Sequence, residues 1–253
     1  MDGDNGRVKA SSDGLACGAM ETALVHRGRN GWVIAGDGGL PPRGSRTPVL
    51  QAALDHIARE GGGRAELWIH GSEASDDAEP LACGFARWRE LWQMRCPLPA
   101  APSTLRVRAF TDADADDFLA VNNRAFAWHP EQGNMTREGL AQRQAEPWFD
   151  RRGFLLHIRD QRLAGFCWTK LHPATANDPA MGEIYAIAVD PDFHGKGIAV
   201  PLTLAGLQWL AAHGPRTGML YVEHDNDPAV ATYRRIGFTV HHADRAYEIV
   251  VPA

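Results

Sequence analysis

The sequence predicts an α/β fold, with a β-sheet flanked by helices, because strand-like and helix-like segments alternate along it. Two observations in the second half carry this prediction. A mostly apolar run at 181–190 is typical of a central strand, and a helix-like run from about Ile198 ends at Gly214-Pro215. A third observation concerns domains. Three prolines between 97 and 102 interrupt any helix or central strand. They predict a linker at 97–103 that joins domains 1–96 and 104–253.

The N-terminal half contains a short series of elements. Apolar or alternating runs predict strands at 31–36, 64–71 and 89–98, and helical spacing predicts helices at 47–60 and 76–88. The segments LWIHGSEASDDAEPLACGF and LYVEHDNDPAVATYRRIGF, one from each half, share the order strand, acidic cap, helix and Gly-Phe. This similarity favours an internal duplication with an incomplete first copy.

The C-terminal half contains a longer series. Strands are predicted at 104–110, 153–160, 162–172, 181–190 and 218–225, with one or two more at 238–251, and helices at 114–126, 136–149, 198–213 and 227–236. Thr136 is the expected N-cap of the second helix. Asp227 is the expected N-cap of the last helix, which has Pro228 at its first position and Gly237 past its end.

Composition excludes several classes of protein. The 253 residues are 44% apolar and 23% charged, without an apolar run near the ~20 residues of a membrane-spanning helix. The first residues are polar and acidic, unlike a secretory signal, so the expected location is the cytoplasm, with no membrane partner. A net charge of −5 without a basic stripe predicts no nucleic-acid partner.

Cysteine and histidine spacing bears on redox and metal chemistry. The four cysteines form no CxxC pair, and the eleven histidines show no HExxH spacing. This predicts neither a disulfide framework nor a metal site. The cysteines are Cys17, Cys83, Cys96 and Cys167.

A small basic loop, His194-Gly195-Lys196-Gly197-Ile198-Ala199, lies between the predicted central strand and the following helix. Small residues let the backbone approach a diphosphate, and N–H groups at a helix start favour an anion. Lys196 adds a positive charge. An ordinary turn is the alternative interpretation, since glycine pairs before helices are common in turns.

The loop resembles the [Q/R]-x-x-G-x-[G/A] motif with which the GCN5-related N-acetyltransferases (GNATs) bind a pyrophosphate, although His194 stands where that family usually has Gln or Arg. Further segments resemble, in order, the C-terminal domain of the mycothiol synthases, a family of tandem GNATs. They are VNNRAFAWHPEQG, FCWTKLHP, GEIYAIAVDP, LYVEHDN and TYRRIGF. The resemblance covers about residues 104–250, with RELWQMRCPL as a partial match earlier. It implies a GNAT-type mixed sheet and a shortened GNAT-like N-terminal half.

The resemblance implies an acetyl-CoA-dependent N-acetyltransferase that acetylates the cysteinyl amine of cysteinyl-glucosaminyl-inositol and yields mycothiol. Acetyl-CoA would be a cosubstrate. Glu183 matches the family's general base, and Tyr233 matches its general acid. From the residues alone, Glu183 could equally be a solvated carboxylate at a strand end. Tyr233 could equally be a core aromatic, because it shares a helix face with Val230 and Ile236.

The resemblance also implies binding positions. For the coenzyme they are Ile187, Ala188, Val189, His194, Gly195, Lys196, Gly197, Ile198, Ala199, Val200, Asn226, Asp227, Pro228, Ala229, Val230 and Ala231. For the acceptor they are Glu131, Lys170, Glu183 and Tyr221. Carboxylates bind an ammonium group, and Lys and Tyr bind hydroxyls, so this set suits a polyhydroxyl amine. Each of these residues, standing alone, would be interpreted as solvated surface.

Two rival functions stay open from the sequence. One is a GNAT that acetylates a different small amine. The other is a non-catalytic acyl-CoA-binding protein, because the first half is short and His194 departs from the motif. The expected partner of an acetyltransferase is a small-molecule amine. The oligomeric state is unknown from the sequence, with a monomer slightly favoured.

Overall fold

The computed structural model describes residues 25–28, 31–34, 40–128, 133–176 and 178–253. These form two compact units. The first contains the described residues up to Ile69, with Ala74–Trp88 and Ala246–Ala253; the second contains His70–Glu73 and Arg89–Arg245. The boundaries between these units differ from the expected linker at 97–103. The division into domains 1–96 and 104–253 stays a prediction.

The described residues form six helices and ten strands, connected by loops and short 3₁₀ turns. In chain order they are β1 (Val25–Gly28), β2 (Gly31–Ile34), α1 (Arg46–Arg59), β3 (Gly63–Ser72), α2 (Ala78–Ala82), β4 (Ala86–Pro97), β5 (Arg108–Ala109), α3 (Ala115–Ala125), α4 (Arg137–Gln144), β6 (Phe154–Arg159), β7 (Arg162–His172), β8 (Met181–Val189), α5 (Ala199–Ala212), β9 (Thr217–Glu223), α6 (Asp227–Ile236) and β10 (Thr239–Val251).

The first unit is built around α1. β1 pairs antiparallel with β2, and β2 pairs parallel with β3, so the chain crosses between β2 and β3 through α1. Leu50 and Ile57, on one face of α1, are fully buried in a cluster with Ile34 and Leu67 of these strands. The apolar face of the predicted helix 47–60 is what attaches it to the sheet.

The second unit contains a mixed sheet with the strand order β10-β4-β9-β8-β7-β6-β5. β8 pairs antiparallel with β7 and parallel with β9. Phe118 of α3 packs edge-on against Phe166 and Trp168 of β7, whereas Gly206 of α5 lies against Cys167. Side chains alternate along a strand, so α3 and α5 cover opposite faces. This buries β7 and β8 on both sides.

Local signals account for several element ends. Asp160 and Gln161, with φ of 51° and 60°, form the predicted tight turn between β6 and β7. Thr136 is the N-cap of α4, and its side chain accepts the Gly139 N–H as expected. Gly237, in the left-handed conformation with φ of 107°, ends α6.

Four sequence predictions about elements are wrong in detail. The strand expected at 104–110 is only the two residues of β5. α4 stops at Gln144 instead of near Phe149, shortly before Pro147. α2 ends at Ala82, because Gly84 (φ 89°) turns the chain into β4. The N-cap of α6 is Asn226, not Asp227, since the Asn226 side chain accepts the Ala229 N–H.

Two further expectations concern the part of the chain that the structure describes. No helix there is long and apolar enough to cross a membrane. Cys83, Cys96 and Cys167 are free thiols. Cys17 lies outside the described residues.

Candidate active site

A cleft of about 760 Å³ opens in the second unit between the end of β8, the loop after it, and the beginnings of α5 and α6. Most of the predicted coenzyme-binding residues line it: Ile187, Ala188, Val189, His194, Gly195, Gly197, Ile198, Ala199, Val200, Asn226, Pro228 and Ala229. It is also lined by Phe193, Pro201, Thr203, Thr232, Tyr233 and Arg235. The sequence-predicted positions are thus brought together in one place.

Four of the predicted coenzyme residues do not line the cleft. Val230 is buried in the hydrophobic core under α6, while Asp227 and Ala231 are exposed on that helix. Lys196 is exposed, and its Nζ lies 4.5 Å from the centre of the Phe193 ring. The expected added charge is therefore next to the cleft and not on its wall.

β8 separates from β9 beside the cleft. The pairing between the two strands runs from Met181↔Thr217 to Glu183↔Met219, although both strands continue beyond it. Pairing with β7 on the other side continues to Val189. The last part of β8 thus has one edge that does not bond to β9. Backbone N–H groups on such an edge can donate to a ligand.

The glycine loop has the backbone conformation that glycine favours. Gly195 and Gly197 have φ of 72° and 74°, and both line the cleft. The loop leads into α5, whose N-cap, Ile198, makes no side-chain hydrogen bond to the helix start. Pro201 has no N–H to satisfy. The other N–H groups of this first turn are left for an anion or solvent.

His194, which stands where the family motif has Gln or Arg, makes a hydrogen bond within the chain. Its Nε2 donates to the backbone carbonyl of Val189 at 3.0 Å. This hydrogen bond joins the loop to the last residue of β8. His194 therefore shapes the turn while its ring also lines the cleft.

Glu183 lies at the position where β8 and β9 stop pairing. It is 8% exposed, so the solvated strand-end interpretation is wrong. Its Oε2 lies 2.6 Å from Nε2 of His172 on β7. Its register partner on β7 is Lys170, whose Nζ lies 4.8 Å from the Trp148 ring centre. A carboxylate, an imidazole and an ammonium group therefore lie on the same face of two neighbouring strands.

Tyr221 extends this polar surface onto β9. It lies two residues beyond Met219, the register partner of Glu183, and so on the same face of the sheet. Its hydroxyl accepts a hydrogen bond from Gln93 of β4 at 2.8 Å, and Arg95 bonds to Gln93 at 2.6 Å. Three of the four predicted acceptor residues thus occupy adjacent strands. Glu131 lies outside the described residues.

Tyr233 is half-buried, lines the cleft, and packs edge-on against Phe238. Both interpretations from the sequence therefore apply: the ring contributes to the core and also faces the cleft. Burial raises the pKa of the Tyr233 phenol well above its ordinary value, and the nearby Cys167 thiol adds to this. Such a phenol stays protonated until a strong base forms beside it.

The sequence did not single out His172, Gln93 or Arg95. A weak signal existed for His172, because it is two residues from Lys170 on the same strand and thus on the same face. Gln93 and Arg95 had none, since their neighbour Tyr221 is far away in sequence. Among the described residues, no group of three or more His, Cys, Asp or Glu side chains could hold a metal ion.

Comparison with known proteins assigns the family. Residues 116–238 match the model of the acetyltransferase (GNAT) family. The mycothiol acetyltransferase of Rhodococcus jostii is 40% identical over a 232-residue alignment that covers 82% of this chain and 76% of that protein. The chain belongs to the mycothiol acetyltransferase family. A family member from a Nocardioides species is 40% identical over a 255-residue alignment that covers 94% of this chain and 81% of that protein.

Family membership confirms the resemblance seen in the sequence and makes the chain an N-acetyltransferase. The fold is confirmed separately. A GCN5-related N-acetyltransferase from Sphaerobacter thermophilus superposes with a TM-score of 0.68 at 20% identity, over 88% of this chain and 73% of that one. The α/β class with a mixed, helix-flanked sheet is the one predicted.

Proposed function

We propose that this chain transfers the acetyl group of acetyl-CoA to the cysteinyl amine of cysteinyl-glucosaminyl-inositol and so forms mycothiol. The observation that carries the proposal is the position of Glu183. It gains its meaning because the chain belongs to the mycothiol acetyltransferase family. Glu183 is a buried carboxylate where β8 leaves β9, on the strand whose last three residues line the cleft.

The cleft suits a coenzyme with a diphosphate and an extended arm. The positive-φ glycines and the uncapped start of α5 favour the diphosphate, since N–H groups and the helix dipole point at it. The open edge of β8 at Ile187, Ala188 and Val189 suits the amide-containing arm. Acetyl-CoA supplies a thioester carbonyl as the acetyl donor. The chain's residues hold that carbonyl and move protons around it.

Proton transfer is assigned to two side chains. Glu183 accepts a proton from the acceptor ammonium, directly or through one water, which leaves a neutral amine to attack the carbonyl carbon. Backbone N–H groups of β8 donate to the carbonyl oxygen as negative charge develops. Tyr233 then donates its proton to the departing thiolate. The amide nitrogen loses a proton that restores Tyr233, and Glu183 releases its own proton to solvent.

Acceptor binding is assigned to the polar surface beside Glu183. Lys170 and Tyr221 present hydrogen-bond donors that suit the hydroxyls of a sugar and an inositol. Lys170 is pre-positioned by the Trp148 ring, and Tyr221 by Gln93. A carboxylate between two hydroxyl-binding donors suits an amine that carries hydroxyls better than an apolar amine.

An acceptor panel tests the proposal. Purified protein with acetyl-CoA would be offered cysteinyl-glucosaminyl-inositol, glucosaminyl-inositol without the cysteine, free cysteine, and spermidine. We expect release of CoA, and the mass gain of one acetyl group, with the first acceptor. Lys170→Ala is expected to raise the KM for that acceptor and to leave the KM for acetyl-CoA unchanged.

Two outcomes would contradict the proposal. Turnover of an unrelated amine, with none of cysteinyl-glucosaminyl-inositol, would keep an acetyltransferase and reject this acceptor. Thermal stabilisation by acetyl-CoA with no turnover of any acceptor would indicate a non-catalytic acyl-CoA-binding protein.

A further inference from the structure

We propose that His172 is a positioning residue for the acetyl transfer. It holds the Glu183 carboxylate by a hydrogen bond to one oxygen, so that the other oxygen receives the proton of the acceptor ammonium. The proposal rests on the proposed role of Glu183 as general base. His172 is not part of the glycine-loop motif of the family, and it does not line the cleft.

His172 and Glu183 make a short side-chain contact. His172 Nε2 and Glu183 Oε2 are 2.6 Å apart, at the short end for a hydrogen bond with an ionised partner. The two residues are on neighbouring strands, but Glu183 is in register with Lys170, and His172 with Met181. The hydrogen bond is thus a diagonal contact on one face of the sheet. Side-chain exposure is 28% for His172 and 10% for Glu183.

The contact matters because the Glu183 carboxylate is buried. A carboxylate this buried needs a hydrogen-bond partner. Lys170, the register partner, has its Nζ 4.8 Å from the Trp148 ring centre and 5.7 Å from the Tyr185 ring centre. Within the described part of the chain, the ion pair found for Glu183 is with His172. His172 therefore holds the carboxylate.

The chemistry follows from which atoms are engaged. An ionised carboxylate only accepts hydrogen bonds, so the hydrogen is on Nε2 of His172, which donates to Oε2. Oε1 is the other oxygen and the one left to accept the proton of the acceptor ammonium. Without His172 the carboxylate can rotate, and both oxygens compete for water. Misplacing a catalytic group by about 1 Å can lower turnover by ~100-fold.

Two variants of His172 separate positioning from packing. His172→Leu removes the N–H donor and keeps an apolar side chain. His172→Gln keeps an N–H donor that reaches about as far as Nε2. We expect His172→Leu to lower kcat by about 10- to 100-fold, with the KM for acetyl-CoA unchanged. His172→Gln should restore most of the loss. His157→Leu is the matched control. Among the described residues, the hydrogen bond found for His157 is to the backbone carbonyl of Arg106. His157 is on β6 and pairs with Gly165, near the end of β7 opposite to His172.

A double-mutant cycle with Glu183→Gln tests whether His172 acts through Glu183. If it does, His172→Leu has no further effect on kcat in the Glu183→Gln background, because the group it positions is already gone. Circular dichroism and thermal stabilisation by acetyl-CoA check that every variant is folded.

The outcomes distinguish this proposal from the function on which it rests. If Glu183→Gln lowers kcat but His172→Leu does not, or if the two losses multiply, the positioning role is overturned and the general base stands. Equal losses in His172→Leu and His172→Gln also overturn it. If Glu183→Gln leaves kcat unchanged, the general base is rejected and the role of His172 with it.

Discussion

The Tyr233 phenol is held protonated by its surroundings. Burial is the main reason that its pKa is raised, and the Cys167 thiol contributes. A general acid needs its proton when the thiolate departs, and a raised pKa keeps that proton in place at neutral pH. Burial therefore keeps the Tyr233 phenol protonated at neutral pH, which is the state that a general acid must have before the thiolate departs.

Tyr233→Phe should lower kcat by about 100-fold or more with acetyl-CoA, while coenzyme binding measured by calorimetry stays the same. The loss should shrink with an acetyl thioester whose thiol is more acidic, because a weakly basic thiolate needs less help from an acid. An equal loss with both donors would mean that Tyr233 contributes packing and no proton.

Gln93 sets the direction of the Tyr221 hydroxyl. The Arg95 Nε is a donor only, so it must bond to the amide oxygen of Gln93, and the amide nitrogen then donates to Tyr221. With its oxygen accepting this hydrogen bond, the Tyr221 O–H is left to donate to a ligand. Arg95 is in turn held by Asp178 at 2.8 Å.

Gln93→Leu should therefore raise the KM for the acceptor by about 3- to 10-fold, the range expected for one hydrogen bond. The kcat and the KM for acetyl-CoA should not change. Gln93→Glu should be worse than Gln93→Leu, because a carboxylate accepts the Tyr221 proton and turns the hydroxyl away from the ligand. An unchanged acceptor KM in both variants would contradict the assigned role of Tyr221.

The helices α5 and α1 differ in how they begin. The N-cap residue of α5, Ile198, makes no side-chain hydrogen bond to the helix N–H groups. At the start of α1, the Glu79 carboxylate accepts the backbone N–H groups of Gly44, Arg46 and Thr47 at 2.7, 2.7 and 2.9 Å. The first unit thus fills the corresponding anion position with its own carboxylate.

Gly197→Ala should weaken acetyl-CoA binding, because this residue lines the cleft and a side chain keeps the backbone from approaching a diphosphate. Gly214→Ala is the matched control. Both glycines have positive φ, 74° and 111°, and a Cβ at either one meets no protein atom within 4 Å. Calorimetry should show weaker binding for Gly197→Ala alone. Equal weakening in both would assign the effect to backbone strain, and no weakening would reject the phosphate-binding loop.

For the chain as a whole we predict one coenzyme site, because Glu79 already occupies the start of α1. The stretch LPPRGSRTPV, which leads into α1, keeps Gly44 but has Arg46 where the motif has a small residue. Pro41 and Pro42, just ahead of Gly44, lack N–H groups. Calorimetric titration with acetyl-CoA should reach one equivalent. A stoichiometry of two, reduced by substitutions around Gly44, would contradict this.

Glu79 also predicts a pH dependence of stability. Burial acts to raise its pKa, but hydrogen bonds from the backbone N–H groups of Gly44, Thr47 and Arg46 outweigh it, so the pKa is lowered. A lowered pKa in the folded state stabilises the fold above the unfolded-state pKa of about 4.3 and loses that effect as the pH falls through the folded value. Glu79→Ala should thus lower the melting temperature at pH 7 and have less effect near pH 3. An equal effect at both pH values would exclude this linkage.

Much of the fold follows from local signals in the sequence. The turn at Asp160-Gln161, the N-cap at Thr136 and the end of α6 at Gly237 depend on residues within a few positions of each other. The cleft residues from β8 to the start of α5 are contiguous in the sequence, so a motif and a family resemblance could point to them. Their role in coenzyme binding stays a prediction.

The α/β class, most elements of the second unit and the contiguous stretch from β8 to α5 could therefore be predicted from the amino-acid sequence. The meetings of distant side chains could not, and they are seen only in the folded chain: His172 with Glu183, Gln93 with Tyr221, and Glu79 with the start of α1. These contacts depend on strand register and packing. Whether two side chains touch depends on how the strands pair and how the helices cover them, and periodicity within one segment carries no information about that pairing.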